Sequence, residues 1–296
     1  MVIADTSSGL SWDIARDVRQ LFEFHFMVNA FRAGTIVAIV AGLIGWFMVL
    51  RRQSYAGHTL SLVGFPGAAG AIWLGVSAAA GYYVFCVATA LVIAAVPRAP
   101  GRGYSEESAV IGTTQAFALA CGFLFVSLYK GFLNGLNAVL FGTFLGITDD
   151  QVRVLFLVAC AVLLVLVVVG RPLLFASVDP DVAAARGVPT SALSVVFLLT
   201  LALAAAEAAQ ITGALLVFAL LVAPAAAAQA FTARPALGLA TSVVLALLIT
   251  WLGLGVGYYS DYPVGFWITS VAFVVYLVAK GWEWFAGRAR GGVVAV

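Results

Sequence analysis

RPLLFASVDPDVAAARGVPTS, residues Arg171 to Ser191, is the longest polar interruption in the second half of a very apolar chain. It holds Asp179 and Asp181, two arginines and three prolines, and apolar runs of membrane length flank it. Inside it, residues 180–186 read as a short helix. Asp179 can serve as N-cap, Pro180 occupies the favoured first helical position, and Gly187 is a natural stop before Pro189. Two readings stand side by side: an ordinary loop between membrane spans, or a capped helix built to touch something outside the bilayer.

The rest of the chain makes the membrane setting plain. Of its 296 residues 64% are hydrophobic and 9% charged, with a mean hydropathy of +1.10. A soluble domain carries about 25% charged residues. Barrel strands would alternate polar and apolar positions. The runs here are continuous and rich in Ala, Leu and Val, so the spans are helices that satisfy their own backbone hydrogen bonds. A net charge of +2 makes no case for nucleic acid. Cys86, Cys121 and Cys160 each sit alone in an apolar run and read as packing residues. The N-terminus lacks the basic-then-apolar order of a signal peptide.

Taken in order, residues 1–26 form an amphipathic segment suited to a membrane surface. The apolar, membrane-spanning region covers 27–280, and 281–296 is a basic tail. Nine spans are expected at about 27–50, 59–79, 82–96, 109–128, 152–169, 193–209, 213–230, 236–254 and 264–279. Lys130 to Asp150 is only moderately apolar, and reads as partly inserted. With nine spans and the N-terminus outside, the cytoplasmic side holds Arg51, Arg52, Arg98, Arg102, Arg171, Arg186, Arg234, Lys280, Arg288 and Arg290. The outer side holds Arg16, Arg19, Arg32, Lys130 and Arg153. The excess of positive charge inside fixes this orientation, which places the short helix and the C-terminus in the cytoplasm.

Gly64, Pro66, Gly67 and Gly70 interrupt the second span, and Gly213 and Pro224 bracket the core of the seventh. Pro frees a backbone carbonyl and Gly lets helices approach closely. Irregular backbone at membrane depth is tolerated where protein covers it or where it lines a cavity. Gly64, Pro66, Gly67, Gly213 and Pro224 are therefore candidates for helix breaks along a transport path. Close packing of small-residue helices is the competing reading.

Three stretches together resemble the permease subunits of bacterial ABC-type zinc/manganese importers: LRRQSYAGHTLSLVGFPG (Leu50–Gly67), VDPDVAAARGV (Val178–Val188) and GALLVFALLVAPAAAA (Gly213–Ala228). The resemblance covers roughly Phe26 to Lys280. It implies an all-α integral membrane protein with a cytoplasmic coupling helix between the fifth and sixth spans, in the bacterial cytoplasmic (inner) membrane. It also implies a homodimer, a separate ABC ATPase and a separate extracytoplasmic binding protein. The ATPase-coupling role falls on Asp179, Asp181, Ala184 and Gly187. No Gly-x-x-x-x-Gly-Lys-Ser/Thr phosphate loop occurs in the sequence, so ATP is expected on the partner and this chain is not expected to be an enzyme. Zinc or manganese would be cargo, with no cofactor bound directly.

One departure bears on that cargo. The family's second span usually carries Asp and, four residues later, His, a spacing that puts both on one helix face with donors suited to zinc or manganese. The matching positions here are His58 and Leu62. His58 reads either as a metal ligand or as an interfacial imidazole. Glu207, in AAAEAAQ near the end of the sixth span, reads either as a functional intramembrane carboxylate or as a charge on the outer surface. Together they would make a sparse metal site. Gln115 suits a hydrogen bond between helices, His25 an interfacial position, and Trp282, Trp284 and Phe285 an aromatic belt. A metal chelate or other small solute is the alternative cargo. An ion-coupled secondary transporter, with Glu207 as its carboxylate, is the alternative class. No paired carboxylates, His-x-x-x-His or Ser/His/Asp arrangement supports a membrane enzyme.

Overall fold

The structure is a computed structural model that describes residues 14–95, 104–129, 146–213 and 217–291. Among the described residues it is all α-helix. In chain order the helices are α1 (Ile14–Glu23), α2 (His25–Leu50), α3 (Ser54–Trp73), α4 (Ala78–Ala95), α5 (Tyr104–Leu128), α6 (Asp149–Val178), α7 (Pro180–Ala185), α8 (Thr190–Thr212), α9 (Val217–Phe231), α10 (Pro235–Tyr258) and α11 (Val264–Gly291). Seven are long and apolar enough to cross a membrane: α2, α4, α5 over Ser108–Leu128, α6, α8, α10, and α11 over Val264–Phe285. The other two expected spans coincide with α3 and α9. The 15 described residues of α9 rise about 22 Å, against a hydrocarbon core of about 30 Å. The expected insertion of Lys130 to Asp150 lies mostly outside the described residues, as does most of the amphipathic N-terminal segment.

Three boundaries differ from those the sequence predicts. First, α3 starts at Ser54, so His58 lies within the helix. Second, α6 does not stop at residue 169 but runs through Arg171 and Pro172 to Val178. Pro172 removes one backbone donor, yet Leu173 and Ala176 just beyond it are buried in the bundle, and that packing keeps the helix intact. The polar interruption between long helices shrinks accordingly. Third, the expected tail is helical through Gly291.

α2 forms the centre. Residues all round it are buried, and it packs against α6, α8, α9 and α10. A second group forms where α3 meets α4, α5 and α8, while α11 closes over α9 and α10. Small residues set these distances. A Cβ on Gly67 of α3 would strike the carbonyl oxygen of Gly81 on α4, and a Cβ on Gly81 would strike that of Gly67. Such reciprocal contact lets dispersion between backbones substitute for the hydrophobic drive that lipid does not supply. Polar pins add to it. Ser242 Oγ donates to Gly42 O at 2.7 Å, and Thr59 Oγ1 donates to Gln115 Oε1 at 2.7 Å, the interhelical role expected of Gln115.

Candidate functional site

The stretch between α6 and α8 folds by local rules. The Asp179 carboxylate accepts from the Val182 amide at 3.0 Å, and Pro180 holds the first helical position. The Gly187 amide bonds Ala184 O at 2.9 Å and the Val188 amide bonds Ala183 O at 3.0 Å, closing the helix end with Gly187 at φ +81°. An L side chain is strained there, whereas no atom lies within 4 Å of where its Cβ would stand. The glycine is therefore required by the backbone and not by crowding. Ala183 is buried, while Asp181, Val182, Ala184 and Ala185 are exposed. One residue anchors α7 and the rest of its surface faces outward.

The base of this loop is tied to α2. Arg51 follows α2 directly and sends Nη1 to Ser177 Oγ at 3.1 Å and Nη2 to Ser194 Oγ at 2.8 Å. Ser177 belongs to the end of α6 and Ser194 to the start of α8, so one guanidinium bridges both roots of the loop. The same group lies 5.2 Å from the Phe197 ring centroid, within cation–π range. Reading Arg51 from sequence as a topological charge misses this role; its partners lie 126 and 143 residues away.

His58 and Glu207 occupy separate environments. The half-buried His58 ring meets Phe218 of α9 edge-on, with centroids 4.9 Å apart and planes at 67°. Its Nδ1 is buried and has no partner among the described residues. Glu207 is fully buried among alanines on α8, which continues to Thr212. The reading of Glu207 as an outer-surface charge is therefore corrected: the helix does not end early enough to expose it. Neither carboxylate oxygen has a hydrogen-bond partner among the described residues. Tyr83 of α4, whose hydroxyl is also buried, stands beside Gln210 and within electrostatic reach of Glu207. Sequence reading overlooks Tyr83, because aromatic residues on apolar helices carry no distinguishing signal.

Depth separates the pair. His58 is the fifth residue of α3, close to the Arg51 end of the bundle. Glu207 lies thirteen residues beyond Ser194, the Arg51 partner on α8, or about 20 Å along the helix. Among the described residues, no three His, Cys, Asp or Glu side chains gather into a group that would hold a metal.

The expected helix breaks divide into two kinds. α3 runs without interruption through Gly64, Pro66 and Gly67, so the reading of a broken second span is corrected there. Gly64 faces the Tyr82 ring and Gly67 the α4 backbone; these glycines serve close approach, and the tight α3–α4 contact holds the helix across Pro66. Pro224 likewise sits inside α9. Gly213 is different: it caps the end of α8 at φ +79°.

These helices, with one capped segment between long apolar ones and isolated polar groups in the bundle, define a multi-pass helical membrane protein. The chain belongs to the ABC 3 transport family, whose model matches residues 23–282. It is 30% identical over 259 residues to the manganese import system permease protein ScaB of Streptococcus parasanguinis, covering 88% of this chain and 91% of the relative. It is 29% identical over 260 residues to the chelated iron transport system membrane protein YfeC of Yersinia pestis, covering 88% and 87%. Among solved structures it is similar to PsaBC from Streptococcus pneumoniae in complex with Fab, with a TM-score of 0.79, 29% identity, and coverage of 90% of this chain and 95% of that one. The chain is thus a divergent member of that transport family.

Proposed function

We propose that this chain is the membrane-spanning subunit of an ABC importer that carries manganese or zinc. A separate extracytoplasmic protein delivers the ion, and a separate cytoplasmic ATPase drives its passage. The observation that carries this reading is α7, capped by Asp179, ended by Gly187 and rooted through Arg51, in a chain of the ABC 3 transport family. A short exposed helix on a fixed base suits docking into a cleft of a nucleotide-binding subunit. Asp179, Asp181, Ala184 and Gly187 would carry that contact, and rocking of α6 and α8 about the Arg51 bridge would transmit it.

In this reading α3 and α9 complete nine spans within a permease region of 27–280. The N-terminus lies outside and the C-terminus in the cytoplasm of the bacterial inner membrane. Two copies pair, with the path at or near their interface. ATP is hydrolysed by the partner subunit and not by this chain. Gly213 and Pro224 lie at the path, and His58 and Glu207 act as separate polar stations at different depths.

A second reading keeps the architecture and changes the cargo to a metal chelate. The scarcity of metal-ligand groups among the described residues favours it, as does the likeness to a chelated iron system protein. Uptake assays with the reconstituted permease, its ATPase and its binding protein separate the two. Free manganese or zinc uptake that falls in His58→Ala and Glu207→Ala supports the metal path. Uptake of a chelate alone, indifferent to both changes, supports the second reading.

A further inference from the structure

A groove of about 960 Å³ opens on the side of the bundle where α2, α6 and α10 meet beside α1. Its walls are apolar: Phe22 of α1, Phe31 of α2, Phe156 of α6, and Leu248, Trp251 and Leu252 of α10. Phe22, Phe156 and Leu252 are each more than half exposed. The polar edge of Trp251 is already satisfied, because its Nε1 donates to Thr35 Oγ1 at 3.0 Å. The walls therefore offer hydrocarbon contact and little else.

Two cations break that rule. Arg32 of α2 and Arg153 of α6 line the same groove, and both are exposed. They stand at nearly one depth. α2 and α6 run side by side in the same direction, since His25 Nε2 meets Asp149 Oδ2 at 3.1 Å at one end and Arg51 meets Ser177 at the other. Arg32 lies seven residues past His25 and Arg153 four past Asp149, which puts their Cα atoms about 5 Å apart in depth. Arg153 Nη1 pairs with Asp150 Oδ1 at 3.1 Å. That exposed bridge is weak and leaves most of the guanidinium donors without a partner among the described residues.

An arginine on the outer face of a membrane helix is costly unless its head snorkels to the interface, where lipid phosphates lie within its reach. Two guanidiniums at one level can clamp the oxygens of a phosphate diester, and the slot beside them matches hydrocarbon. We propose that this groove binds one glycerophospholipid, its phosphate held by Arg32 and Arg153 and its acyl chain laid between α2, α6 and α10. Arg32 and Arg153, less the carboxylate of Asp150, leave one positive charge to meet one phosphate, so lipids with a net negative headgroup bind more tightly than zwitterionic ones, whose own cation competes for the phosphate. This assignment is independent of the cargo and of the coupling role of α7.

The full chain in lipid nanodiscs tests it, with a phosphatidylglycerol that carries a photoreactive diazirine on an acyl chain. Adducts are mapped by mass spectrometry. Labelling should concentrate on Phe156, Leu248 and Leu252. Excess unlabelled phosphatidylglycerol should suppress it strongly, phosphatidylcholine weakly, and diacylglycerol not at all. Arg32→Gln with Arg153→Gln should lower groove labelling at least fivefold while labelling at Leu91 and Val274, on other outward faces, stays constant. The Arg32→Lys, Arg153→Lys pair keeps the charge and should retain half or more of the labelling, which separates lost binding from lost folding. Labelling spread evenly over all outward faces would overturn the proposal, as would groove labelling unchanged in the glutamine pair. Complete protection of the groove would overturn it too, assigning the groove to a protein occupant.

Discussion

Arg51 Nη2 donates to Ser194 Oγ at 2.8 Å, joining the end of α2 to the start of α8 across 143 residues of sequence. Its Nη1 does the same for the end of α6. The two long helices on either side of α7 therefore share one anchor at the central helix. Under the proposed coupling role, a force applied to α7 would meet this braced base and pass into α6 and α8.

Arg51→Lys should weaken that brace while keeping the charge. A single ammonium lacks the planar fork that reaches two hydroxyls at once, and hydrogen bonds to charged groups contribute about 1.5–3 kcal/mol each. The variant should insert normally and bind the ATPase, yet show transport reduced about tenfold, as expected for a lost 1.4 kcal/mol or so of coupling. Normal ATP-dependent uptake by the lysine variant would remove Arg51 from the coupling route.

Gly187 carries the clearest backbone requirement. At φ +81° a non-glycine residue costs about 1–2 kcal/mol, and Asn least among them. Gly187→Val should abolish transport with unchanged membrane insertion, while Gly187→Asn should retain a substantial part. Equal activity of the two variants would show that the helix stop has no role in coupling.

At the other end of α7, Asp179→Ala removes the acceptor of the Val182 amide. Loss of such a cap costs about 1 kcal/mol, and Asp179→Ser should restore most of it. Hydrogen exchange at the Val182 amide should quicken about fivefold in the alanine variant and return towards the native rate in the serine variant.

Glu207 offers a trade between stability and function. Both carboxylate oxygens are buried without partners among the described residues, a cost of about 1–3 kcal/mol per group. Glu207→Leu, of similar volume, should raise the thermal unfolding midpoint of the purified protein and lower uptake. A raised midpoint with unchanged uptake would make Glu207 a bystander to transport.

What could be read from the sequence depended on how local the determinant was. The cap, the proline and the positive-φ glycine of α7 fall within nine residues, so its position follows from short-range rules alone. Burial of Leu173 and Ala176 carries α6 past Arg171 and Pro172, and those contacts come from other helices, so the expected loop was too long. Gly64, Pro66 and Gly67 look like a break because their neighbours on α4 are invisible in a linear reading. The facing glycine, Gly81, turns the apparent weakness into a close contact. Whether Glu207 was buried or exposed turned on where α8 ends, and the sequence left both readings open. The Arg51 bridge and the nearness of Tyr83 to Glu207 are tertiary facts with no local signature.

The most direct test is manganese uptake into proteoliposomes holding the permease, with and without its partner ATPase and ATP, for the native chain and for Gly187→Val. Uptake that requires both the ATPase and ATP, and that disappears in the glycine variant, is the predicted result. Uptake by the permease alone under an ion gradient, indifferent to ATP and to residue 187, would contradict an ATPase-coupled permease and identify a secondary transporter instead.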